Sequence, residues 1–127
     1  MKDVEKEAIR QVIENAYIRG IHGNQDEETV RSGFHRDFRM LVLRDDRIDK
    51  VSVDEWFDRI EAMKADNPVL WSAETTYSFL LVDVARYAAV AKLDVYRGDV
   101  HFSTDYMLLY KFEDGWKIVS KVFSIPA

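Results

Sequence analysis

His35 and Asp105 are the side chains of this sequence best suited to move a proton. A neutral imidazole beside a cavity acts as a general base near pH 7. The competing role for His35 is structural: its ring would cap a short preceding helix or fix the adjoining loop. Asp105 sits among aromatic and aliphatic neighbours in a long strand, where a carboxylate is costly unless paired or hydrated. Turned toward a cavity, it would be desolvated into a usable acid or base. Turned outward, it would be an ordinary solvated carboxylate. Tyr17 lies on an apolar helical stripe and either offers its hydroxyl to the same pocket or packs with a satisfied tip. Trp56 and Phe38 would line the wall, Trp56 as a packing anchor or as a stacking platform for a flat ligand.

Other chemistries lack their residues. The three histidines, His22, His35 and His101, form no His-x-x-x-His pair, so no metal site is expected. Glycine-rich phosphate loops and serine-nucleophile elbows are missing from the sequence, and no cofactor is expected. With no cysteine, the chain has no disulfide, thiolate metal site or cysteine nucleophile.

These groups must be positioned by the surrounding elements. Asp3 is a plausible N-cap for a helix carrying Val4, Ala8, Val12 and Ala16 at every fourth position, with Ile9, Ile13 and Tyr17 beside them. Gly20 and Gly23 weaken its end, and a second short helix begins near Gln25 to Glu28 and runs to Gly33. From Phe38 the period becomes two, with Phe38, Met40 and Val42 on one face and Arg39, Leu41 and Leu43 on the other. Asp45-Asp46 turns the chain into a return strand over Arg47 to Val51. Ser52 and Glu55 then have capping-box spacing for a third helix, which Asn67-Pro68 stops.

Four long strands follow: Trp71 to Val84, Arg86 to Arg97, Val100 to Phe112 and Trp116 to Ile125, the last turn set at Asp114-Gly115. Such strands are long for a small domain and must twist and curl. Helices on the concave side of a curled sheet leave a conical cavity at one end, where small ligands bind. A two-residue Asp114-Gly115 turn would pair Glu113 with Trp116, Asp105 with Ser124 and Leu108 with Lys121. That sends Asp105 and Lys121 to opposite faces; a three-residue loop would alter these partners. In the first register Tyr106, Leu108, Tyr110 and Phe123 share one face while Met107, Leu109, Ile118 and Val122 share the other. A sheet apolar on both sides points to a homodimer through the uncovered face.

The net charge of −5 and the lack of a basic cluster give no footing for nucleic acid. No apolar stretch approaches the 18 residues that suggest a membrane span, and six charges within Met1 to Arg10 do not read as a signal peptide. The expected setting is cytoplasmic.

In this order of elements, Phe34-His35 and the runs Asp105-Tyr106-Met107-Leu108-Leu109 and Gly115-Trp116-Lys117-Ile118-Val119 carry a resemblance. The chain resembles a bacterial branch of the nuclear-transport-factor-two-like superfamily labelled "putative lumazine-binding". The likeness spans nearly the whole chain and includes the Tyr17/Gly20 region, His35-x-Asp37, Trp56 and the run from Trp116 to Lys121. It implies an α+β fold: one domain over 1–127, a cone-shaped curved antiparallel sheet and N-terminal helices packed on its concave face. The label implies pteridine binding. Other relatives in the superfamily include ketosteroid isomerase, dehydratases and SnoaL-like polyketide cyclases, which use an aspartate or histidine at the cavity floor. This sequence does not reproduce their motifs, and fold likeness alone assigns no activity.

Three roles follow as alternatives. The first is a binder of a small hydrophobic or aromatic ligand in the cone. The second is an isomerase, dehydratase or cyclase acting by proton transfer, with His35 or Asp105 as base and Tyr17 orienting the substrate. The third is a dimerisation module without ligand. Convergence of His35 and Asp105 in a cavity would favour the enzyme, and an open apolar cavity without that convergence the binder.

Overall fold

Local signals set most element boundaries in the computed structural model, which describes residues 3–126; residues 1, 2 and 127 lie outside it. The chain runs through α1 (Val4–Val12), a π-helix (Ile13–Asn24), α2 (Glu27–Gly33), β1 (Phe34–Arg44), β2 (Arg47–Val51) and α3 (Val53–Asp66). It continues through α4 (Pro68–Ser72), β3 (Thr75–Ala85), β4 (Ala88–Arg97), β5 (Val100–Phe112) and β6 (Gly115–Ser124). The sheet is six-stranded, ordered β2-β1-β6-β5-β4-β3, curved and unclosed. Its neighbours are antiparallel except at the β1–β6 seam, which is parallel and shifts register between Phe34 and Arg39.

The helices follow from their caps and stripes. Asp3 accepts from the Lys6 backbone N–H, and Ile9, Ile13, Ala16 and Tyr17 are buried along the stripe that follows. The helix leaves α geometry at Ile13 and kinks at Gly23, whose backbone is non-helical, and Gln25, at φ 53°, closes its end. Gly33 lets α2 lie against that helix, since a Cβ there would sit 2.4 Å from Ala16 Cβ. Asp26 caps α2, and the Ser52/Glu55 capping box opens α3. Asn67-Pro68 stops α3 but also starts α4: Asn67 accepts from Leu70 N–H, with proline at the first helical position. Trp71 is therefore helical, and the strand expected from Trp71 begins at Thr75.

The last two strands need a larger correction. The loop joining β5 and β6 is Glu113-Asp114, one residue earlier than the Asp-Gly signal, with Phe112 opposite Gly115. Val119 is then an extra residue, because Leu109 pairs with Ile118 and Leu108 with Ser120. The two shifts leave Asp105 opposite Phe123 and Lys121 opposite Met107. Asp105, Met107, Leu109, Lys121 and Phe123 thus share the face turned to the helices, while Tyr106, Leu108, Tyr110 and Val122 face outward. A second irregularity sits at Phe102, between the pairs Tyr96–His101 and Val95–Ser103.

Candidate functional site

A cavity of about 470 Å³ opens between the π-helix, β1, α3, α4, the start of β5 and the end of β6. Its walls are mostly apolar: Met40 and Val42 from β1, Trp56 and Met63 from α3, Phe102 and Phe123 from the sheet. Trp56 is 4% exposed and is fixed by aromatic neighbours on β1 and the π-helix. Its ring stacks on Phe38 at 5.8 Å and meets Phe34 at 5.7 Å and Tyr17 at 5.9 Å. Trp56 also lines the cavity.

Beneath the apolar walls lies a buried polar floor. The Tyr17 hydroxyl donates to Asp105 Oδ2 at 2.5 Å, joining residues 88 apart in sequence. Burial, then the charge and hydrogen bond of Asp105, hold the phenol well above its ordinary range. Lys121 Nζ stands 3.7 Å from Asp105 Oδ1. This is an ion pair too long for a hydrogen bond, and Oδ1 has no hydrogen-bond partner among the described residues. The ammonium is also 4.5 Å from the Phe123 ring centroid, 4.8 Å from Trp56 and 5.0 Å from Tyr17. Those π faces attract the cation. Burial lowers the Lys121 pKa from its ordinary value, against the opposing pull of Asp105.

A second buried group adjoins the first. Within the π-helix, i to i+5 geometry brings Tyr17 and His22 to one side, their rings 4.7 Å apart. The Arg97 guanidinium donates to His22 Nδ1 at 2.9 Å, to the His22 carbonyl at 3.1 Å and to the Trp71 carbonyl at 3.2 Å. It also lies 3.7 Å from the Trp71 ring centroid. Arginine can only donate, so Nδ1 accepts and the neutral His22 ring carries its proton on Nε2. Burial, then Arg97 and Lys121, push the His22 pKa well below 6.5. Among the described residues Nε2 is buried without a partner, as is Ser103 Oγ, and both residues line the cavity.

The structure separates the sequence-predicted residues. Tyr17 and Trp56 line the cavity, and Asp105 stands behind Tyr17 and Lys121. Phe38 does not line it; the ring is fully buried and backs Trp56. His35 is elsewhere. Its ring stacks on Phe112 at 4.6 Å, and its Nδ1 accepts the Asp37 backbone N–H at 3.0 Å. The expected meeting of His35 and Asp105 does not occur, because His35 precedes the inward run of β1 and packs near the opposite end of β5. His22, Arg97, Ser103, Lys121 and Trp71 were not foreseen. Arg97 had a usable signal, since it continues the inward alternation Ala91, Leu93, Val95.

Comparison with known proteins gives a family and a fold. The sequence model of the family described as "Putative lumazine-binding" matches residues 4–124. No curated protein matches the chain. A nuclear-transport-factor-two-like protein of unknown function from Shewanella baltica superposes with TM-score 0.76 at 23% identity, covering 100% of this chain and 99% of that one. One from Silicibacter pomeroyi, also of unknown function, gives TM-score 0.72 at 17% identity over 94% of both chains. A third, from Novosphingobium aromaticivorans and described as having a cystatin-like fold, gives 0.65 at 17% identity over 95% of this chain and 81% of that one. At these identities the structures establish the fold alone. With a match over residues 4–124, the chain belongs to the family described as "Putative lumazine-binding", and its curved sheet and N-terminal helices have the fold of these nuclear-transport-factor-two-like structures.

Proposed function

We propose that this protein binds a small, largely apolar or aromatic molecule in the cavity bounded by Trp56 and Phe123. The observation that carries the reading is the cavity itself: about 470 Å³, walled by aromatic and aliphatic side chains with few polar groups at its base. That combination is the usual form of a small-molecule site. Native mass spectrometry of protein taken from its source cell tests it. A retained mass that is lost from Trp56→Ala supports the reading; protein that stays free of ligand and unresponsive to a library of small aromatics overturns it.

A second reading is favoured by the Tyr17–Asp105 hydrogen bond at the cavity base. The phenol touches both the cavity and a buried carboxylate, so the pair could pass a proton to or from a bound carbonyl or ring compound. His35 has no part in that reading. For assembly, we infer a homodimer through the outer face of the sheet, where Tyr106, Leu108 and Tyr110 are 38%, 46% and 55% exposed. A second copy offers the same apolar patch in return.

A further inference from the structure

We propose that the cavity's ligand is an aromatic acid, with its anionic oxygens seated toward Lys121 and its ring between the apolar walls. This deepens the small-molecule reading above and rests on it.

Charge supports the inference. The chain as a whole is acidic, at −5, yet among the described residues no aspartate or glutamate lines the cavity. Its charged lining residues are Arg44, Arg59 and Lys121. Below the lining the imbalance persists. Arg97 and Lys121 are 1% and 4% exposed, and Asp105 is the single buried carboxylate among the described residues. Arg97 contacts a neutral imidazole, two carbonyl oxygens and aromatic rings, with no carboxylate in ion-pair reach among the described residues. Two buried cations against one buried anion leave a net positive charge, costly unless something negative enters.

Hydrogen-bonding capacity points the same way. His22 holds its proton on Nε2, where it has no partner, and Ser103 Oγ is also unpaired. Lys121 carries three N–H bonds, and its polar contacts are an ion pair at 3.7 Å and the weak acceptor Met40 Sδ at 3.8 Å. The unmet capacity of the lining is therefore chiefly that of donors, and its complement is a ligand rich in acceptor oxygens. At the mouth, Arg44 and Arg59 both reach Asp49, at 2.8 Å and 3.7 Å, which offsets their charge. The unbalanced charge is the inner one. Trp56, Phe123 and Tyr17 surround Lys121, so a flat ring would follow its acid group into an aromatic setting.

Matched probes test this: benzoate, 2-naphthoate and 9-anthracenecarboxylate, each against its own primary amide, by calorimetry at pH 7.5. The expected result is that at least one acid binds tenfold or more tightly than its amide. Asp105→Asn should widen that ratio by removing the competing carboxylate, and Lys121→Met should erase it while amide binding survives. Should Lys121→Met fail to fold, the Asp105→Asn/Lys121→Met double substitution keeps the local charge balance and should show the same loss of preference. Amides that bind as well as acids would overturn the inference and leave the small-molecule reading standing. Failure of all six probes would count against both.

Discussion

Lys121 and Asp105 face the same way from neighbouring strands, Nζ to Oδ1 at 3.7 Å, with Tyr17 bonded to the other carboxylate oxygen at 2.5 Å. The extra residue at Val119 makes this arrangement, because it returns Lys121 to the inner face after Ile118. Both members are almost wholly enclosed, so each depends on the other for its charge.

Asp105→Asn should therefore destabilise the fold by about 3 kcal/mol, the usual cost of leaving one buried ion unpaired. Urea denaturation at pH 7.5 measures it. A cost under about 1 kcal/mol would mean that water or the surrounding aromatic rings already satisfy the ammonium.

Trp56→Ala should cost about 3 kcal/mol, since it removes the ring that Phe34, Phe38 and Tyr17 pack against. The same substitution enlarges the cavity. A loss below about 1 kcal/mol would show that the indole contributes little to the packed wall.

Gly33→Ala tests the helix contact. Its new Cβ would lie 2.4 Å from Ala16 Cβ and 3.1 Å from Val12 Cγ1, so α2 must move. A loss of about 2 kcal/mol is expected, as for other overpacked contacts. An unchanged thermal midpoint would show that α2 shifts freely.

Acid should weaken the fold through His22. Its folded pKa is held well below 6.5, so below that pH the unfolded chain binds a proton that the folded ring refuses. Stability is complete above about pH 7 and falls as pH drops. For a ring that stays neutral when folded, the loss between pH 7.5 and 5 is about 2 kcal/mol. Asp26, Asp49 and Glu55, whose pKa values are lowered in the folded chain, lose their stabilising contribution only in more acid solution. His22→Asn preserves an acceptor for Arg97 and should flatten the profile over that interval; an equally steep profile would assign the effect to another group.

Leu108→Glu should shift the protein toward the 14.9 kDa monomer in sedimentation at micromolar concentration, if two copies meet through this face. A wild-type protein that sediments as a monomer at high concentration would dispose of the dimer.

Much of this fold was legible because its signals are local. Asp45-Asp46 adopts positive φ at both positions, Ser52 and Glu55 close their capping box, and Asp26 caps α2. The site was less legible because its geometry depends on irregularities without a short-range signature. Two small register shifts in the last hairpin decide which face Lys121 and Phe123 occupy, and strand alternation cannot reveal them. Likewise, a helical stripe counted at 3.6 residues per turn does not pair Tyr17 with His22, whereas the π-helix does. Trp71 was misread because Asn67-Pro68 serves both as a stop for one helix and a start for the next.

The parallel seam between β1 and β6 also bears on the order in which the molecule assembles. Strands β3 to β6 are joined by short turns and can zip together from local contacts, whereas Arg39 and Ser120 meet across 81 residues. Met40 and Val42, one wall of the cavity, arrive with that late strand. The expected consequence is a pocket completed near the end of folding and among the first parts to open in native-state fluctuations. A bound ligand would then slow exchange of the β1 amides more than those of β4 and β5, acting as a clasp on the irregular parallel seam of the sheet.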